Sequence, residues 1–159
     1  MRLRIISQQA VFRRGAAMLV DAAIVIESFA VALLFRFNGQ EMALFWTTFW
    51  PFAIFAALAF VVLLYESGVY QRGVYSQGLL RYSGIYQEAG AEALVVPRWV
   101  LRVASASAIA AGVLFIADFA VGEILNRPRP VPLSVVLFGT LLAYVQLVAM
   151  RLLPRVFNT

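Results

Sequence analysis

The chain has 159 residues, of which 63% are apolar and 13% charged, whereas soluble domains are nearer half apolar and about a quarter charged. The sequence contains neither cysteine nor histidine, which excludes disulfides, thiol catalysis and the thiolate or imidazole sites that hold zinc and haem. All thirteen cations are arginines. They are scattered in ones and twos rather than massed in a stripe, so nucleic acid is not an expected partner. The composition therefore predicts an integral membrane protein in contact with membrane lipid.

Four apolar segments are long enough to be transmembrane helices, because a hydrocarbon core of about 30 Å needs roughly 20 residues of helix. The predicted spans are residues 16–35, 42–65, 99–119 and 131–150. The sequence thus predicts an all-α membrane domain over residues 1–159, a bundle of four transmembrane helices with a loop at 66–98 between the second and the third. Gly39 is expected to end the first helix in the left-handed conformation, and Pro132 to lie near the start of the fourth.

The arginines also predict the orientation of the bundle. Ten of the thirteen lie in the terminal segments and in the central loop with its edges, and three lie in the two other connections. Cytoplasmic loops carry an excess of basic residues, so both termini and the loop at 66–98 are expected in the cytoplasm. The first span is too long for a cleavable signal peptide. The expected location is the bacterial inner membrane, crossed several times.

Two carboxylates lie within the first span, Asp21 about a third of the way in and Glu27 near the middle. Charged groups at such depths cost at least about 2.5 kcal/mol, and they usually face the interior of a bundle or carry function. Six residues separate the two acids, so they do not share one face of the helix. Arg14, seven residues before Asp21, is a candidate partner for it. Other polar side chains are expected at similar depths: Ser105, Ser107 and Gln146 with Asp21, and Thr140 with Glu27.

These intramembrane polar residues have three interpretations. In the first they form structural hydrogen bonds inside the bundle, with Glu27 protonated. In the second they belong to a pathway for protons or ions. In the third they make a buried contact with a partner subunit. The sequence leaves all three open.

A five-residue repeat, Tyr-x-x-Gly-aliphatic, occurs three times in succession over residues 65–79. Five residues turn an α-helix by about 500°, so the tyrosines cannot line one helical stripe, and the glycines weigh against a stable helix. We expect an irregular exit from the second span, with tyrosine rings at the lipid headgroups and glycines allowing tight turns. After it, apolar residues recur every three or four positions, which predicts an amphipathic helix on the membrane or against a partner. The candidate contact residues of this region are Tyr70, Tyr75, Leu79, Arg81, Tyr82 and Tyr86.

The third predicted span carries small residues at intervals of four, Ala104, Ala108 and Gly112, which places them on one face. A face of small residues lets two helix backbones approach closely. It serves either a tight contact within the bundle or a docking face for another membrane protein.

Several short motifs follow one another in the order found in a known family. They are Arg13-Arg14 followed by Asp21, then Arg36-Phe37-Asn38-Gly39, Gly68-Val69-Tyr70, Arg81-Tyr82-Ser83, and finally Arg151 and Arg155. From about Phe12 to Arg155 the chain resembles the N-terminal membrane domain of bacterial polysaccharide-biosynthesis proteins, the membrane-bound nucleotide-sugar 4,6-dehydratases and epimerases. It departs from the family at Gln71, where an arginine is usual, and at Leu80, where a tryptophan is usual. The segment from Ala89 to Trp99 is also longer than in the family.

The resemblance implies a membrane bundle without the family's catalysis. In the family, a nucleotide-binding domain follows the fourth span in the cytoplasm and holds the catalytic residues. This sequence reaches only Thr159, has no Gly-x-Gly-x-x-Gly motif and, lacking lysine, has no Tyr-x-x-x-Lys. No catalytic residue of the family can therefore be assigned to a position here.

The sequence thus predicts a non-enzymatic scaffold or anchor subunit that binds other membrane-protein subunits. No cofactor is expected, and contacts with lipid or pigment are left open. In one setting the bundle tethers a separate enzyme of glycan assembly. In another it has been recruited as an accessory subunit of a large respiratory or photosynthetic complex. A small proton or ion transporter using Glu27 and Asp21 is an alternative of a different class, and it would need a polar path through the spans.

Overall fold

Four long apolar helices make up the part of the chain that the structure describes. This structure, a computed structural model, describes the backbone of residues 2–37, 39–70, 98–123 and 131–156, with most of their side chains. Its helices are α1 (Arg2–Arg36), α2 (Gly39–Glu66), α3 (Arg98–Glu123) and α4 (Leu133–Val156). Each contains a stretch long and apolar enough to cross a membrane, namely Arg14–Arg36, Phe45–Glu66, Arg98–Glu123 and Leu133–Leu152. The predicted all-α four-helix architecture is confirmed.

The helices form a square in which each one contacts two neighbours. α1 packs against α4 and α2, and α3 packs against the same two helices. The α1–α4 contact is the most extensive of the four. It is antiparallel, because side-chain hydrogen bonds join residue 21 to residue 151 and residue 28 to residue 146. We call the end of the square at which Arg14, Arg98 and Arg151 lie the basic end.

The helix ends differ from the sequence prediction at Gly39 and agree with it at Pro132. Gly39 is the first residue of α2, so its expected place as the left-handed cap of the first helix was wrong. α1 ends at Arg36 and α2 begins at Gly39. Pro132 directly precedes α4, and its carbonyl oxygen accepts hydrogen bonds from the Val135 and Val136 N–H groups at 2.9 and 3.3 Å.

The first copy of the tyrosine–glycine repeat, residues 65–69, ends α2 in a Schellman motif. Gly68 has a φ of 73°, a left-handed conformation that glycine adopts without steric cost. Its N–H donates to the Tyr65 carbonyl at 3.0 Å, and the Val69 N–H donates to the Leu64 carbonyl at 3.1 Å, as this motif requires. Val69 and Leu64 are both buried. Glycine followed by an aliphatic residue therefore gives the chain its turn and returns it to the core.

The remainder of the repeat and the predicted amphipathic helix lie outside the described residues. The same holds for five candidate contact residues: Tyr75, Leu79, Arg81, Tyr82 and Tyr86.

Phe29 lies at the centre of the core and connects three helices. Its ring meets that of Phe52 on α2 edge to face, with centroids 5.5 Å apart. On the other side it lies against Gly139 of α4, where an added Cβ would fall 2.5 Å from Phe29 Cδ1. The ring therefore occupies space that only a glycine leaves open. Other large side chains that are fully buried are Leu33, Phe49, Phe60, Leu64, Leu114 and Leu147.

The small residues of α3 point away from the bundle. Ala108 and Gly112 are exposed, and Ala104 is half-buried. A Cβ added at Gly112 would meet nothing within 4 Å. The interpretation of this face as a tight contact within the bundle is therefore wrong for Ala108 and Gly112, and its use as a docking face stays a prediction.

Replacing Gly139 with alanine is expected to destabilise the bundle, because the new methyl group overlaps the buried ring of Phe29. Overpacking of a core costs about 1–3 kcal/mol, which exceeds the roughly 0.5–1 kcal/mol that alanine gains over glycine in a helix. Thermal unfolding in detergent, followed by tryptophan fluorescence, should show a lower Tm for Gly139→Ala. The matched control is Gly112→Ala, whose Tm should be equal or higher. A Gly139→Ala protein as stable as the control would contradict the close approach of the two helices.

Candidate functional site

An ion pair near the basic end joins the first and last helices. Arg151 Nη2 donates to Asp21 Oδ2 at 2.5 Å, and both side chains are 7% exposed. Arg151 Nη1 also donates to the Leu147 carbonyl at 2.9 Å, which holds the guanidinium group against its own helix. A charge in apolar surroundings is tolerated when it is paired and hydrogen-bonded. Asp21 thus finds its counter-charge on α4, whereas Arg14, the partner suggested by the sequence, is exposed.

Tyr70 completes this contact from the chain segment that follows α2. Its hydroxyl donates to the same Asp21 Oδ2 at 2.6 Å, and the residue is 6% exposed. The turn at Gly68 directs it there. The expected position at the lipid headgroups is therefore wrong for Tyr70, which lies inside the bundle and not on a surface for partners, whereas Tyr65 is exposed. We call Asp21, Tyr70 and Arg151 the Asp21 cluster.

A second polar contact between α1 and α4 lies deeper in the bundle. Ser28 Oγ is 2.7 Å from the Ile24 carbonyl oxygen and 3.0 Å from Gln146 Oε1. The hydroxyl has one proton and donates to one of these oxygens at a time. Gln146 was expected at the depth of Asp21, but it lies opposite Ser28 because Arg151, five residues further along α4, takes the position facing Asp21. Both contacts serve to join α1 to α4.

The remaining predicted polar residues do not join these contacts. Ser105 is exposed, and its hydroxyl donates to the Arg102 carbonyl at 3.0 Å. Ser107 and Thr140 are buried, and their side-chain oxygens have no hydrogen-bond partner among the described residues. Their burial agrees with a place inside the bundle, but the structure does not bring them to Asp21 or Glu27.

Asp118 is a polar residue that the sequence analysis did not single out. It is 3% exposed, and its Oδ1 accepts a long hydrogen bond of 3.5 Å from the Val131 N–H. This contact ties the last part of α3 to the residues just before α4. Its position in the sequence could have identified it, because an acid one residue before the end of a predicted span needs a partner near the membrane surface.

Glu27 faces away from the Asp21 cluster and from the core. Its side chain is exposed, and no hydrogen bond or ion pair joins its carboxyl group to another described residue. It lies two residues beyond the centre of the span Arg14–Arg36, which is about 3 Å along the helix axis. The interpretation that both acids form hydrogen bonds within the bundle therefore describes Asp21 and not Glu27.

The chemistry available to these groups follows from their surroundings. The Asp21 carboxylate is held by two donors, so its polar atoms stabilise the fold. Among the described residues there is no group of three or more histidines, cysteines, aspartates or glutamates that could hold a metal ion. Among the described residues, Glu27 is the carboxyl near mid-span that is left for contact with something outside the bundle.

Breaking the Asp21–Arg151 pair should destabilise the bundle more than removing both partners together. Loss of one partner from a buried pair costs about 3–5 kcal/mol. We expect the lower end of this range for Asp21→Leu and Arg151→Leu, because a side chain near the end of a span can reach water. The double variant should recover most of the loss, and a double-mutant cycle on unfolding in detergent measures the coupling.

The control for this cycle is Arg14→Ala. Because Arg14 is exposed, its removal should change the free energy of unfolding by no more than about 0.5 kcal/mol. If Arg14→Ala proved as costly as Arg151→Leu, the assignment of Arg151 as the counter-charge of Asp21 would be wrong.

Replacing Tyr70 with phenylalanine removes the hydroxyl that donates a hydrogen bond to the Asp21 carboxylate. Such bonds contribute about 1.5–3 kcal/mol, so the unfolding free energy of Tyr70→Phe in detergent should fall by an amount in that range. Tyr65→Phe is the matched control from the same repeat, and it should leave stability unchanged because Tyr65 is exposed. Equal effects of the two substitutions would mean that the hydroxyl of Tyr70 does not bind Asp21.

Comparisons of the chain with protein families, with curated proteins and with solved structures find no match. The resemblance to the membrane domain of polysaccharide-biosynthesis proteins therefore remains a proposal based on sequence motifs. Three of those motifs supply residues that meet in the structure, since Asp21, the Tyr70 of Gly68-Val69-Tyr70 and Arg151 form the Asp21 cluster. These residues connect helices to one another. The shared motifs therefore bear on the architecture of the bundle and not on an activity.

Proposed function

We propose that this chain is a non-catalytic four-helix scaffold or anchor subunit that binds other membrane proteins. The observation that carries the proposal is the separation of the polar side chains between the inside and the outside of the bundle. Inside the bundle, the side chains of the Asp21 cluster bind one another, and Ser28 binds Gln146. Glu27, in contrast, presents a carboxyl group on the outer surface near mid-span. A carboxyl facing lipid is costly, and contact with another membrane protein would remove that cost.

The proposal includes an orientation and a location. Among the described side chains, Arg14, Arg98, Arg102 and Arg151 lie at the basic end, and Arg36 lies at the opposite end. Basic residues are enriched on the cytoplasmic side of membrane proteins, so we place the basic end and both termini in the cytoplasm. We propose the bacterial inner membrane as the location, in line with the resemblance to bacterial polysaccharide-biosynthesis proteins.

Two settings are compatible with such a subunit. The sequence resemblance favours a tether for a separate enzyme of glycan assembly. A bundle of this kind also suits an accessory subunit of a large respiratory or photosynthetic complex, where it would contribute surface and not chemistry. Neither setting requires a reaction to be catalysed by this chain.

A small proton or ion transporter is less well supported. It would use Asp21 and Glu27 in one path, yet Asp21 is engaged inside the bundle and Glu27 faces outward. The residues Ile24 and Val25, which lie between them along α1, are buried and apolar. Glu27→Gln should therefore leave proton leak into proteoliposomes after a pH jump unchanged. A leak that the wild type supports and the variant lacks would favour the transporter instead.

The scaffold proposal is tested by purifying the chain from its native membrane in a mild detergent and identifying what accompanies it by mass spectrometry. We expect one or more membrane proteins in fixed stoichiometry with the chain. Subunits of an energy-transducing complex would support the accessory setting, and a nucleotide-sugar enzyme or glycosyltransferase would support the glycan setting. A lone monomer, found also after crosslinking in the intact membrane, would contradict the proposal.

A further inference from the structure

We propose that the partner binds at Glu27 through a transmembrane helix that carries an arginine or lysine near the middle of its span. The inference rests on the proposed function, because it names the chemistry of the protein that the scaffold would bind. It assigns the outward face of α1 around Glu27 as the docking surface. We call this surface, made of Ala23, Glu27 and Ala30, the Glu27 face.

The depth of Glu27 prevents it from reaching water. It lies thirteen residues after Arg14 and nine before Arg36, the two ends of the span. At 1.5 Å per residue these distances are about 20 Å and about 14 Å. A glutamate side chain is much shorter than either, so its carboxyl stays in the hydrocarbon layer. Polar groups at this depth normally pair with one another inside a protein, and the described part of this bundle offers Glu27 no such pair.

The residues beside Glu27 allow a close approach by another helix. Ala23, one turn before Glu27, is exposed, and Ala30, one turn after Glu27, is half-buried. Small side chains at such positions let the backbones of two membrane helices come near each other. On the side of these two alanines a partner side chain could therefore meet the carboxyl directly. Val20 and Leu34, two turns before and after Glu27, are exposed and would pack against the same partner helix.

The described residues of a second copy of this chain would not supply a positive charge at the level of Glu27. The described cations that lie at or near the surface, Arg14, Arg36, Arg98 and Arg102, are all at the ends of the spans, far from the level of Glu27. If two copies met through their Glu27 faces, two carboxyl groups would come together, and like charges disfavour each other. None of the described residues places a counter-charge at this level, so we infer that it comes from a different protein, and an intramembrane arginine or lysine is the group that supplies both charge and hydrogen bonds.

The small-residue face of α3 is a weaker candidate for the same role. It is also exposed, but the polar side chain beside it, Ser105, is already satisfied by the Arg102 carbonyl. Nothing on that face calls for a partner of particular chemistry. The two faces therefore make a matched pair for an experiment.

The experiment compares variants in the purification from native membranes. Glu27→Gln removes the charge from the Glu27 face, and Ala23→Phe blocks it with a bulky ring. Their controls are Glu66→Gln, an exposed acid at the end of α2, and Ala108→Phe on the face of α3. Because the Glu27 side chain makes no hydrogen bond or ion pair with another described residue, the isolated Glu27→Gln protein should keep the Tm of the wild type, which separates lost binding from lost folding.

We expect Glu27→Gln and Ala23→Phe to reduce recovery of the partner at least about tenfold, the factor that corresponds to 1.4 kcal/mol, while both controls keep it. The recovered partner should have an arginine or lysine near the centre of a span. When that residue of the partner is replaced with glutamate, the Glu27→Lys variant of this chain should recover the partner again. This reciprocal exchange tests the pair itself and not only the surface.

Other outcomes would overturn the inference. If the partner is recovered as well by Glu27→Gln as by the wild type, or has no basic residue within a span, the Glu27 pairing is wrong while the scaffold function survives. If only Ala108→Phe loses the partner, the face of α3 is the docking surface. The chain has no cysteine, so a disulfide-linked dimer of Ala23→Cys in native membranes would show that a second copy covers the Glu27 face. A wild type that retains no partner, also after crosslinking in the intact membrane, would contradict both proposals.

Discussion

The bundle depends on the neutralisation of one buried acid by a cation at the other end of the chain. A charged group in apolar surroundings is costly unless it is paired and hydrogen-bonded, and Asp21 has two such partners, Arg151 and Tyr70. This contact brings the last helix and the exit of the second helix to the first one. Once it is made, α1 and α4 are in register for the Ser28–Gln146 contact and for the approach of Phe29 to Gly139. Charge, hydrogen bonding and packing all specify the same antiparallel pairing.

Asp21 and Glu27 lie six residues apart on α1, and their carboxyl groups have different roles. Asp21 points into the bundle near the basic end, where it is enclosed by donors. Glu27 points outward near mid-span, where the described residues give it none. An acid used for folding is thus distinguished from an acid left for recognition by its direction and depth, and not by its residue type. The proposed function and the proposed partner chemistry both rest on this distinction.

The sequence predicted what depends on length and composition, and it failed where direction mattered. The number of helices and their approximate spans follow from runs of apolar residues. Which side of a helix faces inward does not follow, because lipid and protein core are equally apolar and the usual contrast between faces is missing. Leu114 is fully buried and Phe115 beside it is exposed, with no polar residue to mark the difference. For the same reason the sequence suggests Arg14 and not Arg151 as the partner of Asp21, and it leaves the outward direction of Ala108 and Gly112 as one of two alternatives.

The position of the Asp21–Arg151 pair at the two ends of the sequence has a consequence for biosynthesis. The residues are 130 positions apart, so at a synthesis rate of about 5–20 residues per second the acid waits roughly 6–26 s for its cation. Tyr70 is made 49 positions after Asp21, well before Arg151, and is the first of the two donors to emerge. A ribosome that has completed three helices has therefore produced a chain whose first span still holds an uncompensated charge. The closing event of folding belongs to the last helix, and a chain truncated before it would lack the contact on which the others depend.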